Sequence, residues 1–290
     1  MNNSYDIAII GSGPAGLSAA LNAKIRNKNF ILFGNSKLSL KVEKAHLIQN
    51  YLGLPGVTGA DLGEYYKKHL SEMNIEITEK KVTAIYKMGE TFSILANNEV
   101  YEAKSVIIAT GIQTGRAFAG EDTFLGRGVS YCATCDGALY KGKDIAVIAY
   151  NKEEEQEVKF LANLAGRVYL IPMYKNPCEF PDNVEVVKGM PIEIKGDMTV
   201  KELVLKDNRL IVEGVFILRD TISPSTLLPD LELENNHIYV DRLMKTNIPG
   251  CFAAGDVVGK PYQYMKAAGE GNIAALSAVN YLDKNNVMNN

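Results

Sequence analysis

Apolar runs separated by a helical stretch occur twice along the chain. The first unit has the strand Ile7-Ala-Ile-Ile10, a stretch rich in Ala and Leu, and a second strand, Phe30-Ile-Leu-Phe33. The same layout recurs 138 residues later, with the strands Ile145-Ala-Val-Ile148 and Val168-Tyr-Leu-Ile171. Continuous apolar strands that alternate with helices are typical of parallel sheets covered on both faces. The pattern therefore predicts two β-α-β units in one α/β chain.

The pattern outside these units predicts how the chain divides into domains. Further short strands are expected over 75–110 and 184–218, and a C-terminal helix over about 265–283. A length of 290 residues suits two domains better than one core. We predict two Rossmann-like domains of three layers each. A central domain, 115–243, is inserted into a first domain formed by 1–114 and 244–290.

Composition and charge exclude several classes of protein. The chain is 47% hydrophobic and 22% charged with a net charge of −3, which is ordinary for a folded protein and unlike a nucleic-acid binder. No apolar run approaches the roughly 20 residues that cross a bilayer, so no membrane partner is expected. The start, Met1-Asn-Asn-Ser-Tyr5, has no basic region or cleavage site and predicts a cytoplasmic protein.

A glycine-rich turn follows the first strand. Gly11, Gly13 and Gly16 have the spacing that permits a tight turn, close approach of the backbone to a pyrophosphate, and close packing of helix on strand. The spacing alone is a weak signal, but here it lies between a strand and a helix. A nucleotide site is favoured over a turn that merely needs small residues. The acidic residue that usually contacts the ribose is missing, since Gly34 and Asn35 follow the second strand.

A close pair of cysteines, Cys132 and Cys135, is followed at once by Asp136. Zinc would need two more ligands, and the remaining cysteines and histidines are scattered along the chain: Cys178, Cys251, His46, His69 and His237. We therefore expect no metal. Two thiols at this spacing can close a disulfide, and such a setting can lower a thiol pKa. Asp136 then suits an acid–base role toward a departing sulfur, with a structural turn before glycine as the alternative.

Four segments together resemble the low-molecular-weight thioredoxin reductases, in the same order and over nearly the whole chain. They are Gly11-Ser-Gly-Pro-Ala-Gly16, Ile108-Ala-Thr-Gly111, Cys132-Ala-Thr-Cys-Asp136-Gly and Pro249-Gly-Cys-Phe-Ala-Ala-Gly-Asp256. The resemblance implies the fold of the pyridine nucleotide-disulfide oxidoreductases and FAD held by the first domain. It also implies a homodimer, a redox dithiol on the central domain, and thioredoxin as the disulfide substrate.

The resemblance also implies which residues hold FAD. They are the turn residues Gly11, Ser12, Gly13, Pro14, Ala15 and Gly16, then Asn50, Val82, Thr110, Gly111, Gly255, Asp256, Gln263 and Tyr264. Within this set, Asn50 and Gln263 match residues near the flavin, Val82 a backbone contact to the adenine, and Asp256 the ribityl carboxylate. The chain departs from the family at Tyr262 and Tyr264, which flank Gln263. It also has Ser36-Lys-Leu-Ser-Leu40 where the family has Gly-Gly-Gln.

The second β-α-β unit departs from the family more deeply. Its three glycine positions are Ala149, Asn151 and Glu154, and its helix opens Lys152-Glu-Glu-Glu155. In the NADPH-dependent members, His-Arg-Arg after the second strand holds the 2′-phosphate, whereas this chain has Met173 and Tyr174 after Pro172. Side chains in the turn and acidic residues at the helix start oppose a pyrophosphate. We predict that NADPH does not bind in the usual mode.

This combination resembles the ferredoxin-dependent flavin thioredoxin reductases of anaerobic bacteria, which keep the dithiol and lack the pyridine-nucleotide motifs. Ferredoxin is therefore the expected electron donor. Ferredoxins are acidic, and one segment of the first domain is basic, with Lys24, Arg26, Lys28, Lys37, Lys41 and Lys44 against the single acid Glu43. That segment is either a docking face or a solvated lysine-rich surface.

Two other functions remain open at this point. One is a thioredoxin reductase that uses NAD(P)H through a non-standard site. The other is a flavoprotein redox sensor without turnover. In each case Cys178 and Cys251 are interpreted as packing residues.

Overall fold

The computed structural model describes residues 4–38, 42, 45, 47–112, 118–131, 133–219 and 223–288. The helices are α1 (Pro14–Ile25), α2 (Gly59–Glu72), α3 (Glu121–Phe124), α4 (Ala133–Asp136), α5 (Glu155–Ala162), α6 (Pro224–Leu227) and α7 (Tyr264–Met288). The strands are β1 (Ser4–Ile10), β2 (Phe30–Phe33), β3 (Val82–Met88), β4 (Thr91–Ala96), β5 (Glu99–Ile108), β6 (Val129–Ser130), β7 (Asp144–Ala149), β8 (Arg167–Pro172), β9 (Val184–Val186), β10 (Pro191–Gly196), β11 (Val200–Leu205), β12 (Arg209–Ile211), β13 (Gly214–Leu218), β14 (Leu233–Glu234), β15 (His237–Ile238) and β16 (Cys251–Ala253). Short 3-10 turns span Gly137–Tyr140, Lys152–Glu154 and Gly255–Val258.

The chain forms two compact units. The first consists of Met1–Ile112 with Ser223–Asn290, and the second of Gln113–Ile222. The chain therefore returns from the second unit to the first at residue 223, whereas the sequence predicts this return at residue 244. Residues just before the predicted boundary are tied to the first unit, because the Asn247 side chain accepts from the Glu232 N–H at 2.9 Å and donates to the Asp230 carbonyl at 2.7 Å. Such contacts between nearby loops leave no mark in the hydrophobic pattern.

The first unit is built on a sheet in the order β2-β1-β5-β4-β3, with β16 also paired to β5. Strands β1, β2, β5 and β16 run parallel, and β3 and β4 join them as an antiparallel pair. Helices α1 and α7 pack closely together at Gly271. A Cβ there would lie only 2.0 Å from the Ala15 carbonyl oxygen, so the contact requires glycine. Six alanines of these two helices are fully buried: Ala19, Ala20, Ala23, Ala274, Ala275 and Ala278.

The second unit has three layers. Its central sheet is parallel, in the order β6-β13-β7-β8-β9. One face, including Val147, packs against Leu161 of α5, and the opposite face, including Ile148, packs against Leu203 of the antiparallel sheet β10-β11-β12. Burial on both faces explains the unbroken apolar run of β7. The prediction of an α/β fold with two three-layer Rossmann-like units is confirmed.

Among the residues that the structure describes, none of the helices combines the length and the apolar character needed to span a membrane. Within the same ranges, no group of three or more His, Cys, Asp or Glu residues could hold a metal ion.

Candidate functional site

The glycine turn of the first unit is fixed by close backbone packing at two of its three glycines. Gly11 has a φ of +118°, and a Cβ there would lie 2.2 Å from the Ala109 carbonyl oxygen. A Cβ on Gly16 would lie 1.8 Å from the Gly11 carbonyl oxygen. The Gly11 N–H donates to the Phe33 carbonyl at 2.8 Å, which ties the turn to the end of β2. These two glycines are therefore demanded by the fold itself.

Gly13 is different, because its surroundings are open. A Cβ there would meet no atom within 4 Å, and its backbone is extended (φ −81°, ψ 178°). Gly13 is the N-cap of α1, no side chain caps the helix, and Pro14 occupies its first turn. The free N–H groups and the positive end of the helix dipole thus face open space, which is the arrangement that receives a pyrophosphate. The turn fits the FAD that the resemblance implies.

The contrast between these glycines gives a testable expectation. Gly13→Ala should fold but bind FAD at least tenfold more weakly, because the added methyl group occupies the space needed by the pyrophosphate. Gly16→Ala should fail to fold. The measurement is the flavin-to-protein absorbance ratio after extensive dialysis, together with circular dichroism. Gly63→Ala in α2, which also meets no atom within 4 Å, is the matched control and should keep its flavin. Full flavin retention by Gly13→Ala would contradict this assignment.

The C-terminal segment lies directly on this turn. Gly255 has a φ of +86°, and a Cβ there would lie 2.9 Å from the Ala15 Cβ. The Gly255 N–H donates to Glu270 Oε2 at 2.9 Å. Burial raises the pKa of Tyr264, and the nearby charge of Asp256 raises it further, so these two candidates also lie close together. Two segments more than 200 residues apart in sequence are thus joined in one site.

Two candidates for the flavin ring are joined directly. The Asn50 Nδ2 group donates to Gln263 Oε1 at 2.8 Å, across 213 residues of sequence. Thr110 and Gly111 follow the carboxyl end of β5, where Gly111 has a φ of +74°. Val82 opens β3 and is 7% exposed. The structure therefore brings together the glycine turn with Gly255, Asp256 with Tyr264, and Asn50 with Gln263.

Glu79 is a candidate ribose ligand that the sequence does not reveal. Thr78 pairs with Phe33 at the end of β2, so the next residue reaches the position where dinucleotide-binding units place an acid. The Glu79 carboxylate accepts bonds from the Ser36 N–H and Oγ, and these bonds lower its pKa. Glu79 is thus a candidate substitute for the acid that is missing after β2, and it comes from a separate segment, for which sequence spacing gives no signal.

The segment with the cysteine pair lies in the second unit. Cys132 lies outside the described residues, and Cys135 is in α4, whose first residue, Ala133, is fully buried. Asp136 ends α4, and its Oδ2 accepts a hydrogen bond from Ser130 Oγ at 2.6 Å. The carboxylate therefore has a fixed position directly after the second cysteine.

The other two cysteines have different surroundings. Cys251 is 1% exposed, and burial raises its pKa to about 12. Cys178 is exposed, so the prediction that it packs in a core is wrong. Its pKa is nevertheless raised, by desolvation and by the neighbouring carboxylate of Glu155. Neither thiol is readily ionised, so neither is suited to attack a disulfide.

The polar groups at the turn of the second unit form hydrogen bonds with each other. Asn151 caps the helical segment that follows, because its Oδ1 accepts from the Glu154 N–H at 3.3 Å. At the end of β8, the Tyr174 hydroxyl donates to Glu155 Oε1 at 2.9 Å, and the Cys178 N–H donates to the same oxygen at 3.0 Å. Asn151, Glu155 and Tyr174, which lie where a working site would contact the phosphates, are thus engaged in hydrogen bonds within the protein. The open turn around Gly13 has no such internal cap.

A buried ion pair lies at the carboxyl end of β13, beside this turn. Arg219 follows β13, and its Nη1 and Nη2 donate to Glu121 Oε1 and Oε2 at 2.6 and 3.0 Å, with both side chains at most 2% exposed. The guanidinium lies 5.2 Å from the ring centre of Tyr150 and 5.3 Å from that of Phe118. Ligands of such sheets bind at the carboxyl ends of the strands. Here that place is filled by side chains of the protein.

This pair was not predicted from the sequence, although the charge of Arg219 directly after the apolar strand Gly214–Leu218 indicates a buried ionic contact. Its acidic partner, Glu121, also accepts from the Phe118 N–H and the Tyr131 hydroxyl, both at 2.8 Å. The pair is therefore fully hydrogen-bonded on its carboxylate side, as a buried carboxylate must be.

The basic segment of the first domain is partly used within the protein. Lys28 forms a 2.5 Å ion pair with Asp283, and Lys24 donates to the Asn74 carbonyl at 3.4 Å. Lys41 and Lys44 lie outside the described residues. Two of the six basic residues therefore already have partners within the first unit.

Comparisons with known proteins show the family to which the chain belongs. Residues 5–149 and 181–271 match the model of the pyridine nucleotide-disulphide oxidoreductase family. The chain is 35% identical to the thioredoxin reductase of Helicobacter pylori, over 96% of this chain and 99% of that protein. A crystal structure of a ferredoxin-flavin thioredoxin reductase from Clostridium acetobutylicum is 52% identical, with a TM-score of 0.95 over 98% of this chain and 99% of that one. A thioredoxin reductase from Gloeobacter violaceus is 27% identical, with a TM-score of 0.81 over 97% and 95% of the two chains.

Proposed function

The chain belongs to the pyridine nucleotide-disulphide oxidoreductases, as an FAD-binding thioredoxin reductase, and we propose that it takes its electrons from reduced ferredoxin instead of a pyridine nucleotide. The observation that carries this proposal is the filled crevice at the carboxyl ends of β7 and β13. A nucleotide would have to displace the Tyr150 ring and part the Arg219–Glu121 pair. The Clostridium acetobutylicum protein, which is 52% identical, carries ferredoxin in its name and supports the same donor.

Charge at the start of the second helix supports the same proposal. Glu153, Glu154 and Glu155 lie where a pyrophosphate would sit in a working unit. An acidic side chain at a helix N-terminus stabilises the helix by about 0.3–1 kcal/mol. The same negative charge repels a phosphate. No arginine follows β8 to compensate, since Met173 and Tyr174 occupy those positions.

The energetics of the proposed route are favourable. Plant-type ferredoxins lie near −400 mV and thioredoxin near −270 mV, a drop of roughly 130 mV, or about 6 kcal/mol for two electrons. When bound, FAD supplies a centre that accepts electrons one at a time and releases them as a pair. That property suits a one-electron donor and a disulfide acceptor.

The other steps are assigned to individual residues of the chain. The turn from Gly11 to Gly16 binds the pyrophosphate, Asp256 the ribityl chain, and Asn50 with Gln263 orients the ring. The disulfide of Cys132 and Cys135 accepts the electron pair and becomes a dithiol. A thiolate of this pair then attacks the thioredoxin disulfide, and Asp136 gives a proton to the departing sulfur. We propose these roles for a homodimer in the cytoplasm.

The test is to mix the purified protein anaerobically with reduced ferredoxin and oxidised thioredoxin. We expect the flavin absorbance near 450 nm to fall within seconds and two thioredoxin thiols to appear for every two ferredoxins oxidised. The rate should fall with added salt, because complementary charge mainly accelerates association. Thioredoxin that stays oxidised while the flavin is reduced would instead indicate a redox sensor without turnover.

A further inference from the structure

Ser130 is joined to Asp136 across the cysteine pair. Ser130 ends β6, a short strand that pairs parallel to β13 through Phe216. Its hydroxyl donates to Asp136 Oδ2 at 2.6 Å, six residues along the chain. Cys132 and Cys135 lie between these two residues in the sequence. We propose that Ser130 is a positioning residue, which fixes the orientation and the proton-carrying oxygen of Asp136.

The surroundings make this bond a rigid one. Ser130 is 3% exposed, whereas Asp136 is only half-buried. The neighbouring residue Val129 packs in the core cluster on one face of the sheet, and alternation along the strand turns Ser130 toward the other face. Ala133, at the start of α4, packs in the cluster on that second face. Both ends of the bond are thus held by elements anchored in the core.

The bond constrains the proton chemistry of the carboxyl group. Because Oδ2 accepts from Ser130, the acid proton is directed to Oδ1. The same carboxyl group can then deliver a proton repeatedly without rotating, which is the condition for an efficient acid–base group.

The reaction to which this inference applies is the exchange with thioredoxin, so it rests on the proposed role of Asp136. A thiolate of the pair forms a bond to one thioredoxin sulfur, the thioredoxin disulfide breaks, and the departing sulfur takes a proton from Oδ1. The second cysteine then loses its proton to Oδ1 and breaks the mixed disulfide. Two electrons and one proton pass from the chain to thioredoxin, the second thioredoxin sulfur leaves as a thiolate that takes its proton from water, and Asp136 ends protonated, as it began.

Tyr140 is the titratable neighbour that the structure places near this carboxylate. Its pKa is raised, mainly by burial and further by the charge of Asp136. Tyr140 therefore stays neutral throughout the physiological range.

The test uses the flavin-loaded protein, reduced anaerobically with dithionite and freed of the excess, so that no ferredoxin is needed. Reduced protein is mixed with oxidised thioredoxin across a range of pH, and thioredoxin thiols are counted after rapid quenching. Ser130→Ala should slow the exchange about tenfold. It should also change the pH profile of the exchange rate, because the proton-carrying oxygen of the acid is no longer fixed in place. Ser130→Thr, which keeps the hydroxyl, should restore most of the rate.

Controls separate positioning from damage to the fold. Ser105→Ala removes an equally buried hydroxyl from the other unit, where it donates to the Gly250 carbonyl at 2.9 Å, and should leave the pH profile unchanged. In an Asp136→Asn background, Ser130→Ala should have no further effect on the rate. An additive loss there, or an unchanged profile in Ser130→Ala with normal circular dichroism, would overturn the inference. An unimpaired Asp136→Asn variant would instead overturn the role proposed for Asp136 itself.

Discussion

Cys135→Ser is expected to reduce the steady-state rate of thioredoxin reduction by at least a thousandfold. A serine hydroxyl can neither form a disulfide with Cys132 nor ionise near neutral pH, so the electron pair has no acceptor and the exchange has no resolving sulfur. FAD content should be unchanged, because the candidate FAD residues lie in the other unit. The measurement is thioredoxin thiol formation at saturating donor, with flavin content determined on the same sample.

Cys178→Ser is the matched control for this experiment. Cys178 is an exposed thiol of the same unit whose pKa is raised, so its loss should leave the rate within about twofold of the parent. Cys132→Ser should be as inactive as Cys135→Ser. One of these two variants should also accumulate a mixed disulfide with thioredoxin, which identifies the cysteine that attacks. Residual activity of several per cent in both variants would contradict the assignment of the redox dithiol.

The fold was predictable because its two repeats bury both faces of their strands. The runs Ile7-Ala-Ile-Ile10 in β1 and Ile145-Ala-Val-Ile148 in β7 contain no polar residue, and in the first unit the glycine spacing also marks the turn between strand and helix. The domain boundary was less predictable. Residues 223–243 join the first unit through contacts such as those of Asn247 with Asp230 and Glu232, which involve loop polar groups. Loop contacts of this kind follow no period along the chain.

The candidate site was predictable only where motifs resembled a family. Asn50 and Gln263 come together across 213 residues, and no local property of either residue indicates this. Glu79 and the Arg219–Glu121 pair were missed for the complementary reason. They lie outside the four segments that carry the resemblance, and the two members of the ion pair are 98 residues apart. Such pairings are set by tertiary packing, which sequence spacing does not record.

The largest expected effect concerns the donor. With NADPH in place of reduced ferredoxin, the flavin should be reduced at least a thousandfold more slowly, and thioredoxin should remain oxidised. The physical reason is the buried pair at the carboxyl end of β13. Breaking a buried ion pair costs about 3–5 kcal/mol, and a nucleotide entering this crevice would have to break one. A micromolar site corresponds to about −8.2 kcal/mol, so a loss of about 4 kcal/mol leaves a dissociation constant near 1 mM.

Two measurements check this expectation together. Calorimetric titration with NADPH should give a dissociation constant no tighter than about 1 mM, and anaerobic stopped-flow should show no rapid loss of flavin absorbance. An NADPH-dependent thioredoxin reductase run in parallel supplies the positive control. The variant Tyr150→Gly with Asn151→Gly restores small residues to the turn and should still fail to bind NADPH. Rapid flavin reduction by micromolar NADPH in the parent protein would contradict the proposed donor.

The double variant discriminates between two causes of the lost binding. If side chains in the turn were the only obstacle, two glycines would reopen the site and recover micromolar affinity. The structure has further obstacles, because Glu155 remains at the helix start with its bonds from Tyr174 and Cys178, and Arg219 remains paired with Glu121. Only additional replacement of Glu155 and of the ion pair by small apolar residues should improve NADPH affinity, and then without the arginines that hold a 2′-phosphate. Loss of nucleotide binding is therefore spread over several mutually bonded residues, so we expect no single substitution to reverse it.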